Sequence, residues 1–383
     1  TKQGLRVHGI KVLGTREAIP RLVGRLGIEE IVIAIPSATG QQIRSIVEYC
    51  RLPEVRIKIV PGLYKIITDE IDVRVRDVKP EDLLGRETVV IDEEEVGDSM
   101  RNKSVLVSGA AGSIGSELVR QIAQFNPAVL YLIDHNENDL YFLERELQHA
   151  YSGLQFHSIV GDIKDIRLLK SVFSRYRPER VFHAAAFKHV PLMEVNPSAV
   201  ALNNIIATRN IIYAAEHYGA ESFVFISSDK AVNPTSLMGA SKRIGEMMIQ
   251  AKSGSAKTKF MAVRFGNVLG SKGSVVPLFK KQIEEGGPVT VMHPEVRRYF
   301  MSTKEAVLLV LQASVYGNGG EIFVLDMGEP IKIADLARDL ITLSGYRPDT
   351  DIAIEYIGLR PGEKLYEELL LDTEKETATK HNK

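Results

Sequence analysis

A chain of 383 residues, 44% of them hydrophobic, exceeds one ordinary domain, so two units are expected, each large enough to bury its own core. Its 48 basic and 49 acidic residues leave a formal charge of -1, which gives no electrostatic reason to propose a nucleic-acid or membrane-surface partner. No apolar run approaches the roughly 20 residues that span a bilayer, the opening residues carry no signal-peptide pattern, and a soluble chain is expected as written.

In chain order, residues 29–35 (Glu-Glu-Ile-Val-Ile-Ala-Ile) read as a buried strand, Ser37 to Tyr49 as a helix and Val55 to Val60 as a second strand. Residues 1–97 are therefore expected to form a partial α/β domain with its linker, beginning mid-fold and lacking a glycine-rich phosphate loop. Cys50 stands alone, with no partner at a disulfide or metal spacing. A small buried apolar role in a reducing compartment fits it, and no metal site is expected. The charged stretch 74–103, including Asp92 to Glu95, reads as linker and solvated face.

From Ser104 onward, short apolar strands at Val105–Val107, Leu130–Ile133, Gln155–Val160, Arg180–Ala185, Phe223–Ile226 and Lys259–Arg264 alternate with longer amphipathic segments. That rhythm predicts a Rossmann-type, doubly wound parallel sheet with helices on both faces. The catalytic domain is expected over 98–383, with a cofactor-binding core at about 103–264. A smaller substrate portion is expected mainly at 265–300 and 328–370, and Asp372 to Lys383 as a frayed polar tail.

The run from Val105 through Gly109, Gly112 and Gly115 to Leu118 is a strand, a tight glycine turn and a helix start, the context a dinucleotide fingerprint requires. Gly109 and Gly112 would let the backbone approach a pyrophosphate, with Ser113 and Ile114 opening the helix whose amides face it. Gly115 would permit close helix-to-sheet packing. Asp134, ending the next strand, can accept hydrogen bonds from the adenosine ribose, which favours NAD over NADP; it can equally cap the helix starting near Asn136. Asp162 and Ile163, after the third strand, would border the adenine.

Ser228, Asp229 and Lys230 end the fifth strand, at the edge where open α/β sheets bind ligands. Met238 and Lys242 then lie one helical turn apart. Together with Gly109–Leu118 and the segment His183-Ala-Ala-Ala-Phe-Lys188-His189-Val-Pro-Leu-Met-Glu194, these residues resemble the extended short-chain dehydrogenase/reductase superfamily over about residues 103–370. Enzymes of that superfamily place a Tyr where this chain has Met238, so the usual hydroxyl-activating base is absent. Within it, the combination resembles the bacterial UDP-N-acetylglucosamine 4,6-dehydratases of capsule and glycan biosynthesis.

The resemblance implies oxidation of a UDP-amino sugar at C4, loss of water across C5 and C6, and reduction at C6 by the same nicotinamide. Asp229 would be the acid, Lys230 the base and Ser228 a hydrogen-bond partner of the C4 oxygen, while Lys242 would bind the nicotinamide ribose. Ala184 and Ala185 would line the cofactor. As base, Lys230 needs a pKa brought down from about 10.4 by burial or a neighbouring cation such as Lys188. Substrate contacts are expected from Lys188, His189, Asn267, Ser274, Val275 and Thr290, with Arg298 and Arg360 on the diphosphate and Glu363 on the ribose. Surface ion pairing is the alternative for these charged residues, and packing or hydrogen bonding for His183, His189 and His293.

The resemblance further implies a homo-oligomer, N-terminal membrane helices absent from this chain, and a place on the cytoplasmic face of the bacterial inner membrane. Met238 resembles members that retain the C5 configuration. Two alternatives stay open: a UDP-sugar 4-epimerase, and a non-catalytic NAD- or UDP-sugar-binding module.

Overall fold

The computed structural model describes residues 3–35, 37, 38, 40–50, 52, 55–60, 76–83 and 89–383. They form two compact units, one drawn from 1–88, 273–295 and 331–358 and the other from 89–272, 296–330 and 359–383. Among the described residues no helix is long and apolar enough to cross a membrane.

In the first unit, strand Glu30–Ile33 pairs in parallel with Arg56–Ile59, which pairs antiparallel with Arg76–Asp77. The crossover between the first two is the helix Gly40–Tyr49. Ile33, Ile43, Val47, Ile59 and Val78 bury a small core against which Leu343 packs. This is the strand-helix-strand order read from the sequence, although Thr39 of the helical stretch lies outside the described residues. Cys50 is fully buried, and burial pushes its thiol up to about 11, so it is an inert packing residue. A separate parallel pair, Val289–Val291 with Ile354–Tyr356, accompanies the helices Val275–Glu284 and Ile333–Leu343.

The second unit is built on seven strands: β1 (Ser104–Ser108), β2 (Val129–Asp134), β3 (Phe156–Val160), β4 (Arg180–His183), β5 (Ser222–Ile226), β6 (Lys259–Arg264) and β7 (Ile322–Val324). All neighbouring pairs are parallel, in the order β3-β2-β1-β4-β5-β6-β7. Successive side chains alternate between the faces: Val105, Val107, Val224 and Ile226 enter one core, and Leu106, Phe223 and Phe225 the other. With both faces covered, the inner strands β1, β2, β5 and β6 read as nearly continuous apolar runs, whereas the edge strand β3 stays partly exposed. The strand order reverses between β1 and β4, and the crevice beyond their C-terminal ends is where such sheets bind ligands.

Two expectations are corrected here. Of the stretch 74–103, residues 74, 75 and 84–88 lie outside the described residues, but its end holds a helix, Glu93–Met100, whose Val96 and Met100 are completely buried. Asp92 caps that helix by accepting from Glu95 N at 2.9 Å, and Glu93 to Glu95 occupy its first turn, where acids complement the helix dipole. The acidic run is thus a helix start as well as a solvated face, since Asp92, Glu93 and Glu94 are exposed. The segment from Asp372 to Lys383 is not a frayed tail. Glu374 binds the buried Arg264 at 2.7 Å, His381 Nε2 donates to Val90 O at 2.8 Å, and Asp326 N donates to Lys383 O.

Candidate active site

The first turn after β1 is shaped by backbone proximity. Gly109 has φ +71°, and a Cβ there would sit 2.5 Å from Ala185 N, while one on Gly115 would overlap Gly109 O. The turn therefore presses directly against the end of β4 and against its own helix, which only glycine allows. Gly112 caps the helix Ser113–Ala123 without a side chain, leaving first-turn amides free to meet an anion. Asp134 is 8% exposed and does not cap the following helix, a task taken by Asn136. Its carboxylate accepts from Ala111 N and Asn136 N, both at 2.9 Å, so it ties the glycine turn to the end of β2. These features suit a dinucleotide: a cradle too tight for any Cβ, exposed helix amides and a carboxylate beside them.

Around this turn, Ser113 Oγ accepts from Lys272 N at 3.1 Å, and Ile114 packs partly buried on the core. Asp162 follows β3 and binds Lys164 at 3.0 Å; burial opposes its charge, but the Lys164 hydrogen bonds hold it below the usual carboxylate range. Ile163 is a core residue. Ala184 N donates to Ser108 O beside the turn.

His183 is fully buried at the end of β4, between Ser108 Oγ at 2.8 Å and Thr208 Oγ1 at 2.9 Å. Because Thr208 donates to Asn204 O, His183 must donate through Nε2 and accept from Ser108 through Nδ1. Burial, reinforced by the charge of Lys242, pushes its pKa down to about 3. It is a neutral structural residue.

Beyond β5, Asp229 is completely buried and Lys230 partly so, their side chains 0% and 18% exposed. Lys230 Nζ donates to Asp229 Oδ1 at 3.0 Å and to Asn267 Oδ1 at 3.2 Å, and lies 3.4 Å from Glu367 Oε1. Ser228 Oγ donates to the same Asp229 oxygen at 2.9 Å. The other oxygen, Oδ2, has no hydrogen-bond partner among the described residues, and a Cβ on Gly266 would come within 3.1 Å of it. Burial opposes the Lys230 charge, yet Asp229 and Glu367 outweigh it and the opposing Arg298, so its pKa is held above the usual value. The expectation of a lysine depressed by a neighbouring cation is therefore not met in this state, because two carboxylates face it.

Burial lowers Lys188 and, further along the chain, Lys242. Burial, partly offset by Glu246, brings Lys242 down to about 8, and its Nζ donates to Ile226 O at 2.8 Å above the Phe225 ring. One turn earlier, Met238 packs with Val190, Met193 and Val200 and brings no hydroxyl to the strand edge. Asn204 was not anticipated as a site residue. It lies in a π-helical turn, Ala201–Ile206, and clamps Phe187 N and O at 2.8 and 2.9 Å, fixing the segment that carries Lys188 and His189. Two adjacent asparagines in an apolar run were the available signal.

Arg298, 4% exposed, spends its donors on the carbonyls of Arg297, Lys364 and Leu365 and on Glu363. It pins the 363–367 segment, whereas Arg360 is 46% exposed and pairs with Glu363 at 3.2 Å. Lys188 Nζ reaches Ser271 Oγ at 3.4 Å. His189 is held below its usual pKa by partial burial and then by Lys188 and Arg360, which marks a shared positive region. Ser274, Val275, Thr290 and His293 belong to the first unit. There Thr290 Oγ1 accepts from Gln282 at 2.7 Å and His293 Nδ1 accepts from Glu295 N. The Ser274 hydroxyl is buried without a hydrogen-bond partner among the described residues.

The seven-stranded sheet, glycine turn and strand-end cluster define an α/β enzyme fold of the short-chain dehydrogenase/reductase type. Residues 105–383 match the family described as polysaccharide biosynthesis protein, and the chain belongs to that family. It is 49% identical over 372 residues to the probable polysaccharide biosynthesis protein EpsC of Bacillus subtilis, covering 97% of this chain and 62% of that protein. A protein of Campylobacter jejuni named UDP-N-acetylglucosamine 4,6-dehydratase (inverting) is 32% identical, over 69% of this chain and 76% of its own length. A UDP-glucose 4-epimerase of Rickettsia rickettsii is 31% identical, over 71% and 79%. The X-ray structure of Pen from Bacillus thuringiensis superposes with a TM-score of 0.66 at 36% identity, over 71% of this chain and 83% of that one. The chain thus spans about three fifths of EpsC.

Proposed function

We propose that this chain is the catalytic part of an NAD-dependent UDP-N-acetylglucosamine 4,6-dehydratase. The observation that carries the reading is the buried Asp229–Lys230 pair at the end of β5, beside a methionine in place of a reductase tyrosine. Elimination across C5 and C6 needs an acid for the departing hydroxyl and a base for the C5 proton. The pair holds one transferable proton. Shifted across its 3.0 Å hydrogen bond from Lys230 to Asp229, that proton leaves a neutral acid and a neutral amine, the two forms required. Excluding water favours that exchange, because it removes two charges from a low-dielectric site.

In the step itself the C5–H bond breaks, its proton passes to Lys230 Nζ, and its electron pair becomes the C5–C6 double bond. The C6 hydroxyl departs as water with the proton of Asp229, which restores the ion pair. Ser228 would hydrogen-bond the C4 oxygen, and Lys242 the nicotinamide ribose. Gly109, Gly112, Ser113, Ile114, Gly115, Asp134, Asp162, Ile163, Ala184 and Ala185 would hold the cofactor, with Asp134 disfavouring a 2′-phosphate. Bound NAD supplies the hydride acceptor for C4 and the donor for C6.

Arg360 with Lys188 and His189 would receive the diphosphate, Glu363 the ribose, and Asn267 a further part of the substrate. Arg298 would serve by ordering the segment that carries Glu363. The proposal extends to a catalytic domain over 98–383, a homo-oligomer, retention at C5, and membrane attachment on the cytoplasmic side through residues outside this chain.

An epimerase is the second reading, favoured by the similar identity to the Rickettsia protein. It needs neither an elimination acid nor a base, and it makes no use of Asp229 beside Lys230. Incubating the purified chain and NAD with UDP-N-acetylglucosamine separates the two: a dehydratase yields a 4-keto product lighter by one water, an epimerase an isomer of unchanged mass. No mass change would sink the proposal.

A further inference from the structure

Lys230 is flanked by two carboxylates, and the sequence motif contains only one of them. Glu367 Oε1 lies 3.4 Å from Lys230 Nζ and 3.6 Å from Arg298 Nε, with its side chain 2% exposed. Its second oxygen, Oε2, is buried and has no hydrogen-bond partner among the described residues. Lys230, Glu363, Lys364 and Glu367 line one small cavity. The charges facing Lys230 are thus Asp229 and Glu367 on the negative side and Arg298 on the positive, with Asn267 a neutral acceptor. A buried carboxylate with an unsatisfied oxygen is a poor stabilising device, which directs attention to what its charge does for its neighbours.

We infer that Glu367 is a positioning residue for Lys230: it holds the ammonium against Asp229 and stabilises the charge that forms when Lys230 takes a proton. Arg298 shares that carboxylate and so sets how much of its charge reaches Lys230. The catalytic meaning rests on the dehydratase reading, in which Lys230 receives the C5 proton. The coupling between the two side chains rests on their geometry alone.

The test is competitive labelling of the NAD-loaded protein with acetic anhydride across a pH series, reading acetylation of the Lys230 peptide by mass spectrometry. Glu367→Gln removes the charge at constant shape, and the pH of half-labelling is expected to fall by about one unit or more. Glu367→Asp keeps the charge and is expected between the wild type and the Gln variant. The acid limb of the kcat profile for UDP-N-acetylglucosamine should move down with the labelling curve in Glu367→Gln, while KM changes far less than kcat. A half-labelling pH equal to wild type in Glu367→Gln overturns the inference. A wild-type chain that labels as expected but does not dehydrate the nucleotide sugar overturns the functional reading and leaves the coupling standing.

Discussion

At the scale of single residues, the chemistry rests on which protonation states burial permits. Lys230→Ala is expected to abolish dehydration, by about 10²-fold or more, while leaving NAD bound, since the lysine touches no part of the glycine turn. Turnover assays beside measurement of retained NAD check this, and near-normal turnover removes Lys230 from the mechanism. His189 gives a second check. Partial burial, and after it the neighbours Lys188 and Arg360, hold its pKa down, so an anion bound among them must raise it, and UDP must bind more tightly as pH falls through that pKa. An NMR titration of His189 with and without UDP should show the rise, and an unchanged value places the diphosphate elsewhere.

Residue by residue, the motifs Gly109 to Gly115 and Ser228 to Lys230 were legible because they depend on local spacing. The hydrogen bonds of Arg298 to the carbonyls of Lys364 and Leu365 reach across more than sixty residues and leave no trace in the local sequence. Glu367 was missed for the same reason.

At the scale of elements, the glycine turn and the β5–β6 edge hold the site in place. In Gly115→Ala the new methyl would overlap Gly109 O and force the helix away from β1. A loss of about 1–3 kcal/mol is expected from such overpacking. Urea unfolding should show it, together with loss of the stabilisation that NAD gives the wild type; full retention of that stabilisation would contradict the proposed cradle. Behind β6, Arg264 is completely buried between Glu246 at 2.8 Å and Glu374 at 2.7 Å, and Ser227 Oγ donates to Glu246 at 2.7 Å. Glu246→Ala strips one partner from a buried cation and should cost about 3–5 kcal/mol. Faster proteolysis of the segment beyond Leu369 should accompany it, and unchanged stability would show the network to be redundant. Strands β1 to β6 were readable from the sequence, whereas the short edge strand β7 was not. The acidic helix start at Asp92 was not, because a charge run has the same composition whether it caps a helix or lies in solvent.

At the scale of the whole molecule, the order β3-β2-β1-β4-β5-β6-β7 brings β1 and β4 together across about seventy residues of chain. The fold class was legible from alternation alone, whereas the discontinuous first unit was not, since it joins segments distant in sequence. His183 sits at the centre of this arrangement and sets an acid limit on stability. Its folded pKa of about 3 lies below the ordinary histidine value, so the unfolded chain binds more protons in between. Stability is then full above about pH 6.5 and falls by about 1.4 kcal/mol per unit as pH drops toward 3. Unfolding free energies measured at pH 7 and pH 5 should show that slope, and His183→Gln should flatten it; an equal slope in the variant would assign acid sensitivity to other groups.

The central claim is that one nicotinamide is reduced at one sugar carbon and reoxidised at another within a single turnover. It is tested most directly by giving the purified chain UDP-N-acetylglucosamine carrying deuterium at C4 and locating the label in the product by NMR and mass spectrometry. The dehydratase reading predicts a product that has lost one water and carries the deuterium in its C6 methyl group. Deuterium remaining at C4 of an isomer, or substrate recovered unchanged, would contradict it.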